Sequence, residues 1–251
     1  FLSEIPSLFQ SGRLPLDVAL IQVTPPDANG MCSFGVSVDV TKSAAENARL
    51  VIAQINPSMP RTLGDSMIHV YDIDYLVLVD TPIFENELPE EQEGTDAIGE
   101  HLASLIEDGS TIQLGIGSVP QACAKLLVTK KDLGIHTEML TDTIIDLIES
   151  GAVNGSKKTV DRGKVVASFL MGTKRLYDYV DNNPAISLNP AEYVNDLTTI
   201  SRQHKMVAIN AGIEVDLTGQ VCSDSIGSQF YSGIGGQLDF IRGAARSQGG
   251  K

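Results

Sequence analysis

Three short stretches hold residue types and spacings that could do chemistry. In STIQLGIGSVP (110–120) an apolar strand runs into Gly115 and Gly117 and a helix begins. In an open α/β sheet such strand ends line the ligand crevice. The free N–H groups of a first helical turn can donate to an anion or a carbonyl oxygen, and Ser118 is placed to cap that turn. The spacing is not GxGxxG, because Pro120 follows Val119 in the sixth position. On spacing alone, an ordinary tight strand-to-helix turn is favoured over a ligand loop.

The second stretch, GIGGQLDF (233–240), repeats that logic, with Gly235 and Gly236 permitting close approach of backbone to a ligand. Asp239 and Arg242 stand three apart on the helix that follows and read as a helix-surface ion pair. In the third stretch, GIHTEMLTD (134–142), His136 and Glu138 are two apart, so a strand turns both to one face. A carboxylate at the end of an inner strand is costly to bury without a task or a partner. It could be a nucleophile, a general base or a salt-bridge member. Glu214, in the apolar context AGIEVD, is a rival. The pattern does not choose between them, and a core ion pair is the default for either. His69, His101, His136 and His204 lack ligand spacing such as HxxxH, so no metal site is expected. Neither GxSxG nor GxxxxGK[ST] occurs, which leaves serine hydrolysis and phosphoryl transfer from ATP without support.

The elements that must position these residues alternate. LDVALIQV (16–23), LVIAQI (50–55) and YLVLVDT (75–81) read as buried strands, and TKSAAENA (41–48) as a helix with Thr41 at its cap. PIFENELPEEQEGTDA (82–97) reads either as a linker or as a solvated loop. TDAIGEHLASLIEDG (95–109) puts Ile98, Leu102, Leu105 and Ile106 on one helical face. Strand-and-helix units continue through IHTEML (135–140), TDTIIDLIES (141–150), KVVASFLMG (164–172) and TKRLYDYVDNN (173–183). KMVAINAGIEVDLTGQVCS (205–223) reads as two strands around Gly212, with a turn at residues 217–219. This order implies a largely parallel sheet covered by helices. The 251 residues, 42% hydrophobic and 20% charged, suffice for a sizeable core. A net charge of −14 argues against a nucleic-acid binder, and no apolar run approaches the roughly 18 residues of a membrane helix. Cys32, Cys123 and Cys222 are odd in number and far apart, which points to a reducing, cytoplasmic setting rather than a disulfide framework. The ends at Phe1 and Lys251 read as cuts in a longer chain.

In sequence, DGSTIQLGIGSVPQA, KKDLGIHTEMLTDTIIDLIESGAVNGSKKT, KVVASFLMGTKRLYDYVDNNPAISLNPAEYVND and GIGGQLDFIRGAA resemble the acetyl-CoA hydrolase/transferase family. Within it, the 4-hydroxybutyrate coenzyme A-transferases look most similar. QVTPPDANGMCSFGVSVDV and INPSMPRTLGDSMIHVYDID agree, so the resemblance spans essentially the whole chain. It implies two related open α/β domains of the CoA-transferase type: the C-terminal part of the first in residues 1–90, and an incomplete second in 91–251. It implies Glu138 as the catalytic carboxylate, a CoA-binding turn at Gly115, Ile116, Gly117, Ser118 and Val119, and further CoA contacts at Ile213 and Gly236. It implies acyl-CoA and a short carboxylic acid (4-hydroxybutyrate, butyrate or acetate) as substrates, no tightly bound cofactor, no nucleic-acid or membrane partner, and a homodimer. Hydrolysis of acyl-CoA by the same glutamate, or an inactive CoA-binding fragment, are the alternatives. Lys125, Lys130, Lys174 and Arg175 could meet an anionic cofactor, but a solvated-surface role is favoured for each.

Overall fold

A computed structural model describes residues 1–87, 94–115 and 117–251. In the first part of the chain, Ala48–Ile55 lies between Leu16–Val23 and Tyr75–Leu78 in a parallel sheet. In the second part, Met206–Ile209, Thr111–Leu114 and Gly134–Ile135 are parallel neighbours in that order. The sheet runs on through a bridge from His136 to Val166, which belongs to Val165–Ala167, and then to Ile186–Leu188. A further bridge from Leu188 to Gly64 joins the two parts. Buried side chains from both, Val23 and Ala53 as much as Leu140 and Val207, form one contiguous core. The expected α/β architecture with parallel strands is therefore present.

The strands of the first sheet are not buried on both faces as their unbroken apolar runs suggest. Ala19, Ile21, Val23, Val51, Ala53 and Ile55 face the core, while Leu20 is 77% exposed and all four residues of Tyr75–Leu78 are exposed. Continuous apolar runs mark strands covered on both sides. Here the described residues cover only one, and Tyr75–Leu78 is also an edge.

Helix packing differs from the periodic reading in a similar way. Helix Thr95–Leu105 meets helix Ser118–Leu126 through Gly99 and Ala103, whereas Ile98 and Leu105 are 48% and 58% exposed. The other two residues of the expected apolar face do turn inward, Leu102 packing against the core and Ile106 being buried. A Cβ on Gly99 would stand 3.0 Å from the Ala122 carbonyl carbon, so small residues set how closely the two helices meet. Val40, not Thr41, is at the cap position of helix Thr41–Asn47, and the Asp39 carboxylate before it accepts from the Val40 and Thr41 N–H groups. Thr173 caps Lys174–Val180. The start of the 82–97 segment is tied down, since Tyr177 donates to the Phe84 carbonyl (2.8 Å) and Asn86 N–H to the Gly172 carbonyl (2.9 Å). Residues 88–93 of that segment lie outside the described residues.

Gly99→Val should force these two helices apart and lower stability by about 1–3 kcal/mol in urea denaturation. Unchanged stability would mean that the contact is looser than its geometry.

Candidate functional site

The catalytic candidate sits where a strand stops. Gly134–Ile135 pairs with Thr111–Leu114, and His136 continues the ladder with its N–H on the Ile112 carbonyl (3.1 Å). Thr137 N–H donates to the Val166 carbonyl (3.0 Å), and its hydroxyl to the Leu114 carbonyl (3.2 Å). The Glu138 carbonyl then accepts from Ser168 (2.8 Å) and Phe169 (3.0 Å) N–H groups. The backbone around Glu138 is thus fixed from both neighbouring strands, at the carboxyl edge of the parallel sheet, where ligands of open α/β folds bind.

The half-buried Glu138 side chain meets two donors from remote segments. Asn195 Nδ2 lies 2.6 Å from Glu138 Oε2, and the Gly236 N–H also donates to the carboxylate. A Cβ at 236 would come within 1.8 Å of Oε2 and 2.2 Å of Asn195 Nδ2, so any other residue there would push the carboxylate and the amide apart. Burial raises the Glu138 pKa above the usual carboxylate range. The Asn195 and Gly236 bonds oppose that rise, and the nearby Asp239 and Asp39 carboxylates add to it. A desolvated carboxylate without a cation is a stronger nucleophile than a hydrated one.

Glu138, Gly115, Ile213 and Gly236 line one cleft of about 410 Å³, together with Gln113 and Asn210. The last two bridge adjacent strand ends by reciprocal amide bonds of 3.1 and 2.9 Å. Among the described residues, no lysine or arginine lines this cleft. An adjoining cavity of about 390 Å³ shares Gly115 and is lined by Gly117, Pro120, Met139 and Met171. Gly117 has φ +111°, which lets the chain turn from Gly115 into helix Ser118–Leu126, and it occupies the cap position expected of Ser118. Ser118 and Val119 form the first turn of that helix and line neither space. Ile116 lies outside the described residues.

The rival carboxylate is displaced by the fold. Glu214 is exposed on a two-residue strand, Glu214–Val215, paired antiparallel with Val221–Cys222, so its apolar neighbours belong to a surface hairpin and not to the core. The expected Asp239–Arg242 ion pair is also replaced. Asp239 is buried and accepts from the Ser3 hydroxyl (2.9 Å), while Arg242 stacks over the Phe1 ring at 4.6 Å. The chain's first residues cover that helix, which spacing along the helix cannot reveal. Lys174 pairs with Asp178, Arg175 with Asp146 and Glu149, and Lys130 donates to the Ile106 carbonyl, in keeping with surface roles. Burial pushes the Cys123 thiol up to about 11, which removes it as a nucleophile. Among the described residues, no group of three His, Cys, Asp or Glu side chains could hold a metal ion.

Sequence reasoning did not find Asn195, fully buried and 57 positions from Glu138. Nor did it find the Gln113–Asn210 pair. No local spacing signals either contact; only the return of the chain beside the strand ends creates them.

Because the raised Glu138 pKa favours the protonated form, its stabilising contribution is present at low pH and is lost as pH rises through the folded value. Glu138→Gln keeps the acceptor and removes the charge. It should raise Tm by about 2–6 °C at pH 8, and the gap should close towards pH 4. An equal or lower Tm at pH 8 would contradict this electrostatic account.

Residues 1–85 match the acetyl-CoA hydrolase/transferase N-terminal domain, and residues 172–251 match the C-terminal domain of the same family. The whole chain is 56% identical to a 4-hydroxybutyrate coenzyme A transferase of Clostridium kluyveri, covering 58% of that protein. It is 46% identical to a succinyl-CoA:acetate/propanoyl-CoA:succinate CoA transferase of Fasciola hepatica, covering 53% of it. The crystal structure of a 4-hydroxybutyrate CoA-transferase from Porphyromonas gingivalis superposes with a TM-score of 0.90 at 45% identity, over 99% of this chain and 60% of that one. The chain therefore spans somewhat more than half the length of these three relatives. On both domain matches and on end-to-end likeness to these transferases, the chain belongs to the acetyl-CoA hydrolase/transferase family.

Proposed function

We propose that the protein of this chain is an acyl-CoA:carboxylate CoA-transferase working through a glutamyl-CoA thioester on Glu138. The observation that carries the reading is the Glu138 carboxylate, half-buried in a cleft that no lysine or arginine lines among the described residues, and held by Asn195 and the Gly236 N–H. A purely structural carboxylate in such a place would be expected to pair with lysine or arginine. The 4-hydroxybutyrate and succinyl-CoA transferases that the chain resembles supply the substrate class: an acyl-CoA and a short carboxylic acid.

The chemistry balances on one side chain. A Glu138 oxygen adds to the thioester carbonyl, the C–S bond breaks, and CoA leaves as thiolate while an acyl–glutamyl anhydride forms. The thiolate attacks the glutamyl carbonyl and expels the acid as carboxylate, leaving CoA on Glu138 as a thioester. An acceptor carboxylate repeats both steps in reverse and carries CoA away. Covalent storage preserves the free energy of the thioester. The same donors that hold the carboxylate, the Asn195 amide and the Gly236 N–H, would face the oxyanion that develops on the glutamyl carbonyl. Loss of one such donor costs about 10²–10³ in rate in other enzymes. CoA would approach along the glycine turn of residues 115–119 and past Ile213, and contacts to its parts far from the reacting atoms would supply remote binding energy. We read residues 1–90 as part of a first domain and 91–251 as most of a second.

Mixed with acyl-CoA and acetate, the protein should exchange CoA between acids faster than it releases free CoA, and Glu138→Gln should lower exchange at least about 10⁴-fold. Free CoA released at the same rate without acetate would assign hydrolysis instead. Glu138→Gln with most of its activity would remove the mechanism.

A further inference from the structure

His136 is the other titratable group of the HisThrGlu stretch, and nothing in the chemistry above uses it. Its ring is wholly buried. It sits in a small apolar cluster of Val166, Val194, Ile200, Met206, Phe240 and Ala244. One nitrogen, Nε2, lies 2.8 Å from the Val194 carbonyl oxygen, and the other, Nδ1, has no partner. A carbonyl oxygen only accepts, so the proton must be on Nε2.

The Val194 carbonyl ends the four-residue helix Ala191–Val194, where C-terminal carbonyls lack partners within the helix. The next residue is Asn195, whose amide nitrogen meets Glu138. One strand thus grips two successive residues of another segment. His136 holds the carbonyl of 194, and Glu138, two positions along on the same side, holds the side chain of 195. The N–H of the same peptide donates to the Ala191 carbonyl (2.9 Å), so without the His136 grip a single bond at a helix end would be left to hold that peptide, and with it the amide, against rotation.

Resting on the transferase reading of Glu138, we propose that His136 is a positioning residue: as the neutral Nε2–H tautomer it locks the Val194–Asn195 peptide, so that the Asn195 amide is aimed at the Glu138 carboxylate. The charged groups that bear on the ring are Lys158 and Asp161, both from the segment after Gly155. Lys158 is buried and donates to the Ile135 carbonyl next to His136 (2.9 Å), and Asp161 accepts from the Tyr193 hydroxyl (2.8 Å). The helix Gln237–Ala244 brings Phe240 to the ring, while its carboxylate, Asp239, bears on Glu138. Burial and the Lys158 charge hold the ring's pKa down to about 4, so it stays neutral across the working range of a carboxylate nucleophile.

The test compares His136→Leu, which fills the space but cannot donate, with His136→Gln, whose amide can reach the same carbonyl. In single-turnover formation of the glutamyl-CoA species, His136→Leu should be slower by about 10- to 100-fold with KM for acyl-CoA nearly unchanged. His136→Gln should recover most of that loss. Equal losses in both variants, or a His136→Leu rate within twofold of the parent, would overturn the proposal. Nitrogen-15 NMR of the unsubstituted protein gives a readout independent of catalysis and of whether the variants fold. It should show the Nε2–H tautomer, no ring titration between pH 8 and 5.5, and protected Asn195 amide protons. An Nδ1–H tautomer, or titration near pH 6.5, would overturn the proposal. If the unsubstituted protein forms no glutamyl-CoA while these NMR signs hold, the transferase reading fails and the peptide lock stands.

Discussion

The site depends on a single balance: a carboxylate taken partly out of water and given two hydrogen-bond donors in place of a cation. A lysine or arginine beside Glu138 would have stabilised its charge and blunted it. Asn195 and the Gly236 N–H orient the oxygens while leaving the carboxylate poorly solvated. Burial outweighs the two donors, and the pKa rises. The rest of the molecule can be read as what this arrangement requires. Adjacent strands fix the Glu138 backbone, a glycine at 236 admits the carboxylate, and a short helix delivers Asn195.

That balance explains why the site is assembled from distant segments. A carboxylate held by its own neighbours in sequence would sit in a local turn, where water reaches it. Here strand ends near 115, 138 and 210 converge at the carboxyl edge of a parallel sheet, and the loop of residues 233–236 closes over them. The Gln113–Asn210 amide pair ties two of those ends together without adding charge.

Much of the fold was legible because strand and helix signals are local. The alternation of apolar runs with glycine stops and caps gave the parallel α/β order, and Thr173 and Gly117 mark helix starts in the expected regions. Burial was less legible. The Tyr75–Leu78 run is as apolar as an inner strand, yet it lies at an edge with nothing over it among the described residues. Gly99 and Ala103, not Ile98 and Leu105, choose the helix contact, because backbone proximity rewards small side chains. For the site, pattern singled out Gly115, Gly236 and Glu138, resemblance added Ile213 and preferred Glu138 to Glu214, and the four share a cleft. Residue pattern alone left Glu138 and Glu214 level, and only the third dimension separates a strand end from a hairpin edge. Asn195 carries no local signal, since its meaning lies wholly in what it touches.

The central claim is that Glu138 becomes covalently joined to CoA. Intact-mass measurement of the protein mixed with acyl-CoA and quenched in acid, followed by peptide mapping, tests it most directly. The account predicts a gain equal to CoA less one water, located on the peptide that carries Glu138 and absent from Glu138→Gln. Turnover at full rate with no adduct, or an adduct on any other residue, would contradict it.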